Sequence, residues 1–219
     1  MKKKPDRFIC TPDCPKISPP NPDPIQKAGC IIQHGGVVCF PTTGLYGLAA
    51  DATNPRAIDR IYRIKQRPDD KPVLILIQNM DDLDRLVTDV PETAKRLIQR
   101  FWPGHVTLIM TASSAVSDLL TAQTGKIGIR LPLHPVAKAL MAAAKIPITG
   151  TSANISGQPG CSAVAALHPE ILQSVDMILD AGQLKGGAGS TVVDVTENPV
   201  RIIREGSISA IDILDCANG

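Results

Sequence analysis

The chain has 219 residues, 43% of them apolar, which is enough for one sizeable core and requires no second domain. A formal net charge of +2 and only 3% aromatic residues exclude a protein that coats nucleic acid wholesale or stacks single-stranded bases, so any polyanion contact is local. No apolar run reaches membrane-spanning length, and Met1 to Lys4 leads into prolines and charges, which predicts a cytoplasmic protein without membrane contact.

Residues 1 to 24 carry seven prolines, so 1–23 is expected to be an extended arm with no regular element, followed by one domain over 24–215. Six cysteines are scattered along the chain and read as free thiols of a reducing compartment. Cys10, Cys14, Cys30 and His34 offer four zinc ligands, but their spacing fits no compact knuckle, and no metal is assigned to the protein. A short amphipathic helix (Ile25, Ala28, Ile31, Ile32) is predicted over 24–34, ending at Gly35-Gly36. Strand 37–40 runs into a loop, PTTGLYGLAAD, over 41–51.

Asn54 and Pro55 then form the cap and first turn of a helix over 55–66, with Ile58, Ile61 and Tyr62 as its buried stripe. Lys65 continues that stripe, where an ammonium is costly unless something anionic meets it. Pro68 stops the helix and pushes Arg67 towards extended geometry, so that Lys65 and Arg67 can project together with Lys71 close behind. Such a cluster can be a solvated helix end. Here it directly precedes the apolar strand 73–77 and therefore lies at the edge of a core, which favours an anion site.

Helices over 80–87 and 91–101 follow, then strands 106–110 and 127–131, the second containing Arg130. Pro135 opens an apolar helix over 135–145, and a strand over 148–152 leads into SANISGQPGCS. A helix near 163–173, with Ser162 as its N-cap, and a strand over 175–180 come next. After the glycine-rich QLKGGAGS the chain closes in a hairpin, STVVDV and VRIIR, around Glu197-Asn198-Pro199. Strands alternating with helices, plus that hairpin, predict an α/β fold with a twisted mixed sheet. Neither a Walker-type nor a dinucleotide glycine motif is present.

Four stretches carry polar groups that a core would not need: Pro41 to Asp51, Lys65 to Pro72, Thr149 to Ser162, and Gly186 to Ser190. Ser152 and Asn154 share one side of an extended loop, and a helix starting at Ser162 would add free N–H groups for an anion. Glycines 186, 187 and 189 before Ser190 allow backbone amides to curl around an anion or simply form a flexible turn.

Taken in order, PTTGLYGL, KQRPDDKP, WPGHVT, IGIRLPLHP, TSANISG, STVVD and IIREG resemble the YrdC-like family of threonylcarbamoyl-AMP synthases, from about residue 24 to residue 212. Lys65/Arg67 and Ser152/Asn154 match that family's Lys-x-Arg and Ser-x-Asn signature, in its short, single-domain form. The resemblance implies a YrdC-like sheet flanked by helices around a concave basic cavity. It also implies condensation of L-threonine, bicarbonate or CO2, and ATP to threonylcarbamoyl-AMP and pyrophosphate. Other proteins would then transfer the product to tRNA.

On the same basis Lys65, Arg67 and Lys71 meet the triphosphate with Mg²⁺, which is held mainly by phosphate oxygens and water. Ser152 and Asn154 hold nucleotide or carbamate oxygens, Ser162 a phosphate, and Arg204 the nucleotide end. Arg130 grips the threonine carboxylate, and Thr42, Thr43 and Ser190 complete the amino-acid pocket. The cysteines and histidines are left out of the site, and no protein nucleophile is expected. The chain departs from the family at Thr43-Gly44, where many members have Glu-Thr, and at Leu76, where many have histidine. Both changes touch the expected threonine pocket. The competing reading is a module on the same fold that grips double-stranded RNA or tRNA by shape and phosphate contacts, without synthase activity.

Overall fold

The computed structural model describes residues 6–9 and 23–219. Cys10 and Cys14 lie outside the described residues. Cys30 and His34 contact each other within one helix end, Sγ to Nδ1 3.6 Å.

The elements in chain order are β1 (Asp6–Ile9), α1 (Pro24–Gln33), β2 (Val38–Pro41), β3 (Tyr46–Ala49), α2 (Pro55–Lys65) and β4 (Leu74–Leu76). Then come α3 (Met80–Leu86), α4 (Glu92–Phe101), β5 (Val106–Thr111), α5 (Asp118–Thr121), β6 (Lys126–Arg130) and α6 (Pro135–Ala144). The chain continues with β7 (Ile148–Ser152), a 3₁₀ turn (Val164–Ala166), α7 (Pro169–Ser174), β8 (Met177–Asp180), β9 (Thr191–Asp194), β10 (Arg201–Arg204) and α8 (Ala210–Asn218). Among the described residues the strands form one ten-stranded mixed sheet in the order β1-β8-β2-β3-β7-β4-β6-β5-β9-β10. The α/β class, the mixed sheet and the terminal hairpin of β9 and β10 agree with the sequence reading.

Four local expectations are corrected. The proline-rich arm contains β1, which pairs in parallel with β8. Asp6 to Ile9 is a proline-free interval, and the edge of β8 offers unpaired backbone groups for it to join. The loop read over 41–51 contains β3, whose four residues are all buried; its glycine and burial on both faces hide any alternation. The helix near 163–173 is instead a 3₁₀ turn and a six-residue α7, because Pro169 cannot continue an earlier helix and holds His168 extended. Ser162 is therefore not its N-cap. Finally, α8 closes the chain as a helix capped by Ser209, whose Oγ accepts from Asp212 N at 3.1 Å.

The period-2 alternation of the strands divides the core in two. Val37, Cys39, Ile75, Ile77, Ile127 and Ile129 join the larger cluster, which also takes the buried faces of α2, α3 and α4. Val38, Phe40 and Leu76 turn the other way, towards α1 and α6. Those two helices cross closely, for a Cβ on Gly29 would lie 2.7 Å from the Ala143 carbonyl carbon. On the second face of β5, β6 and β9, Thr107, Ile109, Gly128, Arg130 and Val192 line a cavity instead. The sheet is the floor of the site.

Candidate active site

The cavity has a volume of about 1000 Å³. It brings together Thr42, Thr43, Arg67, Lys71 and Arg130 from the N-terminal two thirds of the chain with Ser152, Asn154, Ser190 and Arg204. Among the described residues its lining includes five Lys and Arg side chains, Arg67, Lys71, Arg130, Lys185 and Arg204, and no carboxylate. Cations gathered without an acid among them form an anion site.

Arg130 ends β6, where Ile127 and Ile129 take the core side and fix its direction. Its Nε is buried and has no acceptor among the described residues. Burial and then Arg204 hold the guanidinium down to about 10. A half-buried guanidinium with its Nε shut off from water and unpartnered is costly unless an anion completes it. Arg204 projects from β10 and donates through Nε (3.3 Å) and Nη2 (2.8 Å) to Ser190 O. Ser190 is itself 3% exposed, and its Oγ shares a hydrogen bond of 2.8 Å with Thr107 Oγ1. Thr42 Oγ1 donates to Leu45 O at 2.6 Å, tightening the turn between β2 and β3.

Lys65 and Arg67 do not project together. The α2 helix ends at Lys65, and Gln66 is left-handed with φ 48°, which turns the chain before Arg67. Arg67 lines the cavity and folds over its own corner, donating through Nε to Lys71 O (3.0 Å) and Nη2 to Pro72 O (2.7 Å). Lys65 is 1% exposed and off the cavity wall. Its Nζ donates to Ser152 O (2.5 Å) and Asn154 O (2.8 Å), and burial followed by Arg67 brings the ammonium down to about 7. What meets this charge is a pair of carbonyl oxygens, and the result is a pin between α2 and the Ser-x-Asn turn.

Asn154 is 8% exposed, and both protons of its amide are used, by Ile155 O (2.9 Å) and Gln158 O (2.7 Å). Its Oδ1 is buried and lacks a donor among the described residues. Asn154 therefore offers a hydrogen-bond acceptor, suited to a hydroxyl or N–H rather than an anionic oxygen. Ser162 is off the wall, and its Oγ accepts from Gln183 Nε2 at 2.9 Å. Among the described residues no cluster of His, Cys, Asp and Glu could hold a metal ion.

Sequence reasoning left out His105, Thr107, His134 and Lys185, all of which line the cavity. Burial lowers both histidine pKa values, Arg130 adding to the effect at His105, which favours the neutral rings. His134 Nδ1 is buried and has no partner among the described residues. Its place in LPLHP beside Arg130 was a signal available in the sequence; nothing in VTLIM distinguishes Thr107 from an ordinary strand threonine. The departures also have an address. Leu76 is fully buried in the cluster under α1 and α6, and a Cβ on Gly44 would lie 2.3 Å from Gly186 O.

Residues 30–206 match the Sua5/YciO/YrdC family, described as telomere recombination. The chain is 35% identical over 189 residues to the threonylcarbamoyl-AMP synthase of Pyrococcus abyssi and 36% identical over 190 residues to that of Bacillus subtilis. Each match covers 86% of this chain but only 56% and 55% of those proteins, so the chain spans little more than half the length of these curated relatives. The crystal structure of P. abyssi Sua5 complexed with L-threonine superimposes with a TM-score of 0.82 at 34% identity, covering 88% of this chain and 56% of that one. E. coli YciO gives a TM-score of 0.77 at 29% identity, covering 94% of this chain and 97% of that one.

Proposed function

This chain belongs to the Sua5/YciO/YrdC family, and from that premise we propose that it is a threonylcarbamoyl-AMP synthase, a nucleotidyltransferase acting in tRNA modification. The observation that carries the reading is Arg130, a half-buried guanidinium whose buried Nε has no acceptor among the described residues, in a cavity where those residues line the wall without a carboxylate. The cavity suits a substrate with several anionic groups. L-threonine, whose complex with P. abyssi Sua5 has been solved, brings a carboxylate for Arg130, and ATP brings a triphosphate for Arg67, Lys71 and Arg204.

The threonine amine adds to CO2, supplied by bicarbonate, to give a carbamate. A carbamate oxygen attacks the α-phosphorus of ATP, the bond to the bridging oxygen breaks, and pyrophosphate leaves with the electron pair. The protein's part is to hold the two anions together and neutralise developing charge, so no protein nucleophile is needed. Thr42, Thr43 and the Thr107–Ser190 hydroxyl pair face the amino acid, and Asn154 Oδ1 accepts from a nucleotide hydroxyl. Ser152 contacts nucleotide or carbamate oxygen. Lys65 acts one step back, holding the Ser152–Asn154 turn in register.

Among the described residues the cavity lining supplies no carboxylate to Mg²⁺, which fits an ion that enters with ATP on phosphate oxygens and water rather than one resident in the protein. Among the described residues no helix is long and apolar enough to cross a membrane. A synthase of this kind would work in the cytoplasm beside the proteins that carry its product to tRNA.

The test is pyrophosphate release from ATP and bicarbonate with each amino acid in turn. Release that depends on L-threonine is the expected result. Release indifferent to the amino acid, or none at all, overturns the reading. Tight, salt-sensitive binding of duplex RNA without turnover would put a binding module in its place.

A further inference from the structure

The chain between β8 and β9 crosses the cavity as a strap, and its backbone is pinned on both sides of Lys185. Leu184 N donates to Ser162 O at 2.7 Å and Gly186 N to Gly44 O at 2.9 Å. Past this point Gly186 and Gly187 take φ values of 73° and 95°, a conformation glycine adopts without strain. Ser207 Oγ then donates to Ala188 O at 3.1 Å, tying the strap to the segment after β10.

Gly44 makes the first of these pins possible. Gly186 O lies where a Cβ on residue 44 would be, 2.3 Å away, so any side chain there would push the strap off. The Thr43-Gly44 departure from the family pattern is thus coupled to the position of the strap.

Lys185 lines the cavity, and among the described residues its ammonium has neither an acid partner nor a hydrogen-bond acceptor. An exposed lysine on a free loop would be unremarkable. This one is carried on a backbone fixed at the residues before and after it, against a cavity whose lining offers it no carboxylate.

We propose that Lys185 is a further phosphate-binding residue of this cavity, contacting the terminal phosphates of the nucleotide substrate and the pyrophosphate that leaves, with Gly44 as the positioning residue that lets the strap present it. The assignment rests on the anion-site reading of the cavity given above, though not on the choice of threonine.

Calorimetric titration with inorganic pyrophosphate tests it on the whole chain, comparing the wild type with Lys185→Ala, Lys185→Arg, Gly44→Ala and, as a control for net charge, Lys138→Ala on the exposed side of α6. Lys185→Ala is expected to weaken pyrophosphate binding about tenfold at low salt, as loss of one charge-assisted contact would. Lys185→Arg should recover most of it, Gly44→Ala should lose binding with Lys185 intact, and Lys138→Ala should match the wild type. The difference should shrink as salt rises. Equal affinities for wild type and Lys185→Ala, equal losses in Lys185→Ala and Lys138→Ala, or no pyrophosphate binding by the wild type would each overturn the proposal. Should the wild type release no pyrophosphate with threonine while Lys185→Ala still weakens pyrophosphate binding, the synthase reading falls and the Lys185 assignment stands.

Discussion

Lys126 and Arg130 stand at opposite ends of β6, and the fold treats their charges in opposite ways. Lys126 meets Asp194 at 2.9 Å and Glu197 at 3.3 Å. Its hydrogen bond to Asp194 is the main cause that raises its pKa. Burial alone would raise the pKa of Asp194, but hydrogen bonds from Thr196 and Lys126 outweigh it and leave the carboxylate low. At the other end Arg130 is held down to about 10 by burial and by Arg204, and its Nε finds no acceptor among the described residues. The paired end serves the fold. The unpaired end carries a cost that only a ligand relieves, which is how a site differs from a structural ion pair along a single five-residue strand.

The sharpest way to break this contrast is Arg130→Ala. It should raise the L-threonine requirement roughly a hundredfold, the size of a lost bidentate charge-assisted contact, with little change in the ATP requirement. Equal changes in both, read from steady-state pyrophosphate release, would remove Arg130 from the carboxylate. Arg67→Ala comes next. Roughly a tenfold loss in kcat/KM for ATP is expected, together with unchanged threonine KM, because Arg67 lines the cavity while its Nε and Nη2 donate to its own corner.

Lys65→Met tests a third kind of cation, buried and neither ion-paired nor facing ligand. A lysine near 7 in the folded chain and at its ordinary 10.5 when unfolded binds fewer protons when folded between those values, so this group makes stability rise with pH from about 7 towards 10.5. Denaturant unfolding across that range should show the rise in the wild type and a flatter profile in the variant. Turnover should fall through misplacement of Ser152 and Asn154. Wild-type ATP and threonine KM values in the variant, with unchanged kcat, would show that the turn holds without its pin.

The smallest effect is expected from Lys126→Ala, about 1 kcal/mol of stability and no change in turnover, since Asp194 keeps its hydrogen bonds from Thr196 N (2.9 Å) and Thr196 Oγ1 (2.6 Å). With its folded pKa below 3.8, Asp194 adds stability that is present above that pH and lost as acid passes through the lower value. A large turnover defect in Lys126→Ala would erase the distinction between the two ends of β6.

Much of this was legible in the sequence for physical reasons that can be named. Ile127 and Ile129 alternate with Gly128 and Arg130, which aims the arginine at the face opposite the larger core. Asn54 and Pro55 start α2 where a cap and a first-turn proline should, with Asn54 Oδ1 accepting from Arg56 N at 3.0 Å. Other features were illegible because local signals are silent about neighbours. Strand β3 contains a glycine and buries both faces, β1 exists through its pairing with β8, and Lys185 becomes notable only beside a carboxylate-free wall. His105 and His134 lie within WPGHVT and IGIRLPLHP, yet the sequence alone assigns them no role, because a histidine shows its role only through what faces it.

The sequence by itself determined the alternation of strands and helices, the closing hairpin and most of the basic and hydroxyl side chains that could meet an anion, because periodicity, caps and breakers act within a few residues. Tertiary structure alone decided which of two cations separated by one residue meets the cavity. The left-handed turn at Gln66 sends Arg67 to its wall, and the pull of two carbonyl oxygens keeps Lys65 inside.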